Sequence, residues 1–181
     1  MVEPTYFLAS TIFQDAGFSG KLRGLPENED GIDISWFRKE IARFEAENRG
    51  GEKEGSKPKG QYEKIYRHIL YLTPTFSNPS AKTISAKARE EVIALAREYD
   101  ILVISDDVYD FLRWPEEEPT SSVFELAPIP PRLSDVDRAS STDEDWGNAI
   151  SNGSFSKIVA PGVRVGWAEG SPKLMRRLCQ K

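Results

Sequence analysis

The chain carries one cysteine and one histidine in 181 residues. A lone Cys179 cannot close an intrachain disulfide, which favours a reducing compartment and leaves the thiol a bystander. A lone His68 excludes a metal site built on several histidines. It lies in the apolar-rich stretch 65–72 and reads as a strand residue. No apolar run approaches the roughly 20 residues that span a bilayer, and no signal segment precedes Glu3, so the expectation is a cytoplasmic protein with no membrane partner. Charge of one sign is not concentrated either. The 24 Lys and Arg and 29 Asp and Glu are interspersed and leave −5, which argues against nucleic acid as the main partner. No internal repeat is visible.

What remains is ordinary for a folded domain. The chain is 39% hydrophobic and 29% charged, enough for one core and therefore one domain. Residues 5–13 suit either a short helix or a strand; periodicity does not choose. Asp33 is placed to cap a helix with Phe37, Ile41 and Phe44 on one face, and Gly50 and Gly51 should stop it. Residues 65–72 read as a strand. Ser85 then caps a helix with Ala88, Val92, Leu95 and Tyr99 on one side. The β-branched run 101–104 fits a parallel strand buried on both faces, so strand, helix and strand form a βαβ unit. Residues 149–155 and 163–169 are two further strands. Ser171-Pro172 opens a last helix with Leu174 and Leu178 on one side. Surface loops are expected over 50–60 and 116–148; within the second, residues 128–146 are acidic and rich in Ser, Thr and Pro and read as a low-order insertion. The pattern predicts an α/β fold around a mostly parallel sheet.

Two segments carry chemistry. Ser105-Asp106-Asp107-Val108-Tyr109 follows the run 101–104, and Ser154-Phe155-Ser156-Lys157 is followed by Arg164. Open α/β sheets bind ligands beyond the carboxyl ends of their strands, where Asp106 falls. A Schiff-base lysine needs an electron sink beside it, and an acid at a strand end can supply the charge that makes pyridoxal 5'-phosphate such a sink. Two serines and an arginine around the lysine suit a phosphate dianion. Taken alone, Asp106-Asp107 could simply start a turn, Asn78-Pro79 could be one, and Lys157 could be solvated.

Four motifs in order extend this reading. They are Glu3-Pro4-Thr5-Tyr6-Phe7, then Thr73-Pro74-Thr75-Phe76-Ser77-Asn78-Pro79, then Asp106-Asp107-Val108-Tyr109, then Gly153-Ser154-Phe155-Ser156-Lys157 with Pro161-Gly162-Val163-Arg164-Val165-Gly166-Trp167. With them the chain resembles fold-type I pyridoxal-phosphate enzymes, and most of all class I/II aminotransferases of the aminoadipate-transaminase-like branch. The resemblance implies part of the large domain of that fold, a three-layer sandwich. It implies that Lys157 holds the cofactor and moves the proton, that Asp106 (three residues before a tyrosine) faces the ring nitrogen, and that Tyr109 and Asn78 contact the phenolic oxygen. Ser154, Ser156 and Arg164 would bind phosphate, and Tyr6 would stack on the ring. Amino acid and 2-oxo acid substrates follow, as does a homodimer at full length. The resemblance also implies that a leading phosphate-loop segment and a trailing small domain are missing here, as in a truncated chain. Where the family has a glycine after its Asn-Pro-Thr, this chain has Ala81; if that glycine serves a positive φ, Ala81 is strained. Two other readings of the same scaffold stand beside the enzyme: the aminotransferase-like effector domain of a transcription regulator, and a non-catalytic remnant. Lyase, β-elimination or decarboxylase chemistry would use the same residues.

Overall fold

The computed structural model describes residues 1–48, 62–113 and 128–180. The expected loop at 50–60, the Gly50-Gly51 stop and the stretch 116–127 lie outside them. Two sheets organise the described residues. A small one joins β1 (Val2–Glu3), β2 (Leu25–Asn28) and β3 (Gly31–Ile32), with β1 and β2 parallel and β2 and β3 antiparallel. The larger runs β4 (His68–Leu72), β5 (Ile101–Asp106), β6 (Ala149–Ser154) and β7 (Gly166–Gly170) in that spatial order. Its first two pairings are parallel and the last is antiparallel.

Side-chain caps start three of the described helices. Stretch 5–13 resolves as α1 (Phe7–Phe13), which runs on into a π turn at Gln14–Phe18. Helix α2 (Ile34–Glu47) starts on Asp33, whose carboxylate accepts from the Trp36 amide at 2.9 Å and so satisfies a donor the helix leaves orphaned. Helix α3 (Ala86–Glu98) starts on Ser85, accepting from the Ala88 amide at 3.2 Å. Helix α5 (Pro172–Cys179) starts on Ser171, with proline in its first turn, where a missing N–H costs nothing. Helix α3 links the parallel strands β4 and β5, as the βαβ reading requires.

Register decides which side of the larger sheet each residue occupies. Leu70 pairs with Val103, and Val103 with Ala149; Leu72 pairs with Ser105, and Ser105 with Ser151. Side chains alternate along a strand, so these residues share one face. That face packs on α3 and on α4 (Leu133–Ala139), and α2 packs beyond on α3. Val92, Leu95, Ala96, Val103, Leu133 and Ala149 are completely buried there, each of the larger aliphatic ones contributing roughly 1.5–3 kcal/mol. The opposite face carries Ile69, Tyr71, Ile104, Asp106, Ile150 and Asn152. It meets α1 through Phe13, whose ring stands edge-on to Tyr71 at 5.6 Å.

Three expectations are corrected. Residues 128–146 are not a low-order insertion throughout: α4 occupies their middle, with Leu133, Ser134 and Asp137 buried. A polar composition hid this, because Asp137 is polar yet buried, accepting from the amides of Asn148 (2.6 Å) and Ala149 (3.1 Å) and from Arg97 (2.8 Å). The strand expected over 163–169 begins at Gly166, because Pro161–Val163 form a 3-10 turn and Arg164 follows with φ +53°. The burial of 101–104 on both faces holds for one face only: Ile101 and Val103 are buried, whereas Leu102 and Ile104 are half-buried. His68 lies in β4 as expected, its ring 2.7 Å from a Glu45 carboxylate oxygen.

Arg89 of α3 is fully buried and ties the core to the loop after β4. Its guanidinium donates to the carbonyls of Ile84 (3.0 Å), Pro74 (3.1 Å) and Pro131 (3.0 Å) and to the Thr75 hydroxyl (2.8 Å). We expect Arg89→Met to cost about 3–5 kcal/mol, since it strands buried acceptors, and Ser85→Ala to cost about 1 kcal/mol. Urea unfolding of both variants checks this; equal losses would show that Arg89 does not hold the loop.

Candidate active site

Strand β5 ends at Asp106 and Asp107 follows directly, and the alternation of the chain sends the two acids to opposite faces. Asp107 goes to the covered side. It is 1% exposed, and its two carboxylate oxygens accept from the hydroxyls of Ser105 (2.7 Å) and Ser151 (2.6 Å). Its amide donates to the Asn152 carbonyl at 2.9 Å, continuing the pairing with β6. Burial pushes its carboxyl up, against the pull of the two hydroxyls and of Arg89. Both oxygens are committed to the interior.

Asp106 goes to the other side, at the carboxyl end of the strand. It is paired in register with Asn152 of β6, and one carboxylate oxygen accepts from the Tyr71 hydroxyl at 2.7 Å. Burial also pushes its carboxyl up, while the hydrogen bonds from Tyr71 and the Asn152 side chain pull it back. The resemblance singles out Asp106 from its spacing to Tyr109; in the structure Asp106 lies on the face opposite Asp107, whose carboxylate is consumed by the core.

The lysine segment leaves the end of β6, the strand beside β5. Ser154 is the last residue of β6, two along from Asn152 and therefore on the Asp106 side. Its hydroxyl donates to that of Ser156 at 2.9 Å and accepts the Ser156 amide at 3.1 Å, which folds the chain into the turn that carries Lys157. The Lys157 ammonium lies 6.0 Å from the centre of the Tyr109 ring, itself in the turn after β5. Gly153 permits the strand to run here: a Cβ would sit 2.2 Å from the Trp167 ring of β7, a distance that backbone and indole could not yield without parting the two strands.

Lys157 with Tyr109, and Ser154 with Ser156, are thus brought together, and Tyr6 lies near enough to Tyr71 to act on its ionisation. Among the described residues no hydrogen bond or ion pair joins Asn78 or Arg164 to the other candidates. Arg164 is exposed and its guanidinium donates to its own turn at the Pro161 carbonyl, 3.3 Å away. Asn78 stands in the loop that Arg89 anchors, where Ala81 takes φ +59° and its amide donates to the Ser77 carbonyl at 2.5 Å. The strain expected of Ala81 is therefore present. Tyr71 and Asn152 escaped the sequence reading. Tyr71 looked like one more apolar strand residue, and only the register of β4 on β5 shows that it shares a face with Asp106.

The donor set fits pyridoxal phosphate. It comprises an acid at a strand end, an amine one strand over, a hydroxyl pair beside it and, seven residues on, a guanidinium that donates within its own turn. A βαβ-built sheet with its acid and amine beyond adjacent parallel strands defines an α/β cofactor-binding domain. The chain belongs to the aminotransferase class I and II family, whose model matches residues 3–180. It is 39% identical over 183 residues to the Saccharomyces cerevisiae protein YER152C, which covers 98% of this chain. It is 30% identical to aromatic-amino-acid aminotransferase 1 of Thermococcus litoralis and 30% identical to the HTH-type transcriptional regulator YisV of Bacillus subtilis, each over 97% of the chain. Among solved structures, the multiple substrate aminotransferase of Thermococcus profundus superposes with a TM-score of 0.68 at 27% identity over 98% of this chain. The chain spans 40%, 33% and 28% of those three relatives and 35% of the solved chain. The fold is that of fold-type I aminotransferases.

The strain at Ala81 gives a test. An alanine at positive φ costs about 1–2 kcal/mol, part of which glycine returns as unfolded-state entropy. We expect Ala81→Gly to stabilise the chain by about 0.5–1 kcal/mol, read as a higher urea midpoint at unchanged slope.

Proposed function

We propose that this chain forms the cofactor-bearing part of a pyridoxal-phosphate-dependent aminotransferase, moving an amino group from an amino acid to a 2-oxo acid. The observation that carries it is the division of labour at the end of β5: Asp107 is locked into the core, and Asp106 is held on the other face next to the strand that leads to Lys157. When bound, pyridoxal phosphate supplies a conjugated ring that accepts the electron pair released when a bond to the substrate α-carbon breaks. Asp106 would keep a proton on the ring nitrogen, since a negative charge in a partly dry site favours the protonated partner. The Lys157 amine would attach the cofactor and, once displaced by substrate, carry the proton to and from the α-carbon. Ser154, Ser156 and Arg164 would bind the phosphate. Tyr109 and Asn78 would hydrogen-bond the phenolic oxygen, and Tyr6 would lie against the ring. We place the protein in the cytoplasm and, at full length, in a homodimer.

A second reading is supported by YisV, whose similarity covers almost the whole chain. In that reading the same residues hold the cofactor as an effector in a transcription regulator.

Borohydride reduction of the cofactor-loaded protein, followed by peptide mapping, tests the assignment. We expect the reduced cofactor on Lys157, and none after Lys157→Ala; label on Lys173 would refute it. Asp106→Asn should slow amino transfer by roughly 10²-fold or more, the scale of one preorganised electrostatic group. Robust labelling of Lys157 with no transfer across a panel of amino acids would favour the regulator.

A further inference from the structure

Asp106 has a dedicated partner. Tyr71 is the next-to-last residue of β4, 8% exposed, and its hydroxyl lies 2.7 Å from an Asp106 carboxylate oxygen. The two residues come from different strands. Tyr71 pairs in register with Ile104, and Ile104 and Asp106 share a face, so the tyrosine reaches along the sheet to the acid two residues further on. The Phe13 ring stands edge-on to Tyr71 at 5.6 Å and closes the side from which the phenol could swing away. Asn152, across β5 from Tyr71, is in register with Asp106, and its side chain favours the charged form of the acid. The neighbouring strands thus place a polar side chain on either side of Asp106.

We propose that Tyr71 is a positioning residue for the cofactor-facing acid: it donates to one oxygen of Asp106 and fixes the rotation of the carboxylate, so that the other oxygen is presented to the ligand. This rests on the reading of Asp106 as the partner of the pyridine nitrogen. A tyrosine that merely filled the core would donate wherever a carbonyl was free, yet Tyr71 donates to the acid on its own face. Burial, together with the neighbouring charge of Asp106, holds the phenol protonated. In that form the hydroxyl is a donor. A hydrogen bond to a charged group is stronger than a neutral one, so its loss is felt at the acid.

A double-mutant cycle on the complete chain tests this, with pyridoxal phosphate as the probe. Its dissociation constant and its visible absorption band are measured for the wild type, Tyr71→Phe, Asp106→Asn and the double variant, with thermal unfolding recorded alongside. Tyr71→Phe keeps the ring against Phe13, so it should fold. We expect it to weaken cofactor binding about tenfold and to shift the band, and to add less than about twofold when Asp106 is already Asn. If Tyr71→Phe weakens binding equally in both backgrounds, or leaves binding and band unchanged while Asp106→Asn alters them, Tyr71 is a core residue and the proposal fails. If Asp106→Asn also changes neither, or the wild type shows no cofactor-dependent band, the site reading fails and the proposal goes with it.

Discussion

A single buried guanidinium holds the loop that carries Asn78. Arg89 points from α3 into the space between the loop after β4 and the entry to α4, and four acceptors from residues 74, 75, 84 and 131 converge on it. None of these is a charged partner. Asp107 and Asp110 stand near enough to favour its charge, while burial opposes it. The loop 73–84 has little regular structure of its own and carries Asn78 and the strained Ala81. It keeps its shape because backbone carbonyls that would otherwise be stranded in the interior find donors on one rigid fork.

The same economy appears at the end of β5. Two identical side chains, adjacent in sequence, take unrelated jobs because a strand alternates. Asp107 serves the interior by accepting from two serines, one on its own strand and one on β6, and so knits the parallel pair beneath the site. Asp106 stays on the side where α1 and the tyrosines lie. The two faces of the sheet are accordingly unlike: one is packed by α3 and α4, and the other keeps half-buried aliphatic residues at 102, 104 and 150.

The sequence was legible where local chemistry decides structure. Asp33 and Ser85 were readable as caps because a side-chain acceptor before an amphipathic run has one obvious use, and each accepts the amide that use requires. The strand at 101 was readable because a β-branched run near turn signals has few alternatives. Helix α4 was not readable, because its burial depends on Asp137 finding amides that lie ten and more residues away. The bend before Gly166 was equally hidden, since nothing local marks Arg164 for positive φ. Of the site, the acid, the lysine and the serine pair were visible as motifs. Tyr71 was not, because its role is defined by register between strands, a quantity that no single segment contains.

Asp137 sets that register for β6. One carboxylate oxygen receives the first two amides of the strand region, at Asn148 and Ala149, while the other meets Arg97 of α3. Asn148 in turn donates to the carbonyls of Ala96 and Ile101. The start of β6 is thus indexed against a helix, like a ruler clamped at its zero mark. Everything further along the strand inherits that setting: Ser151 beneath, Asn152 beside Asp106, Ser154 at the end, and then Lys157. A slip of one residue would exchange the two faces and turn Ser154 away from the acid. The distance between amine and acid is therefore calibrated at the far end of the sheet, by a residue that touches neither.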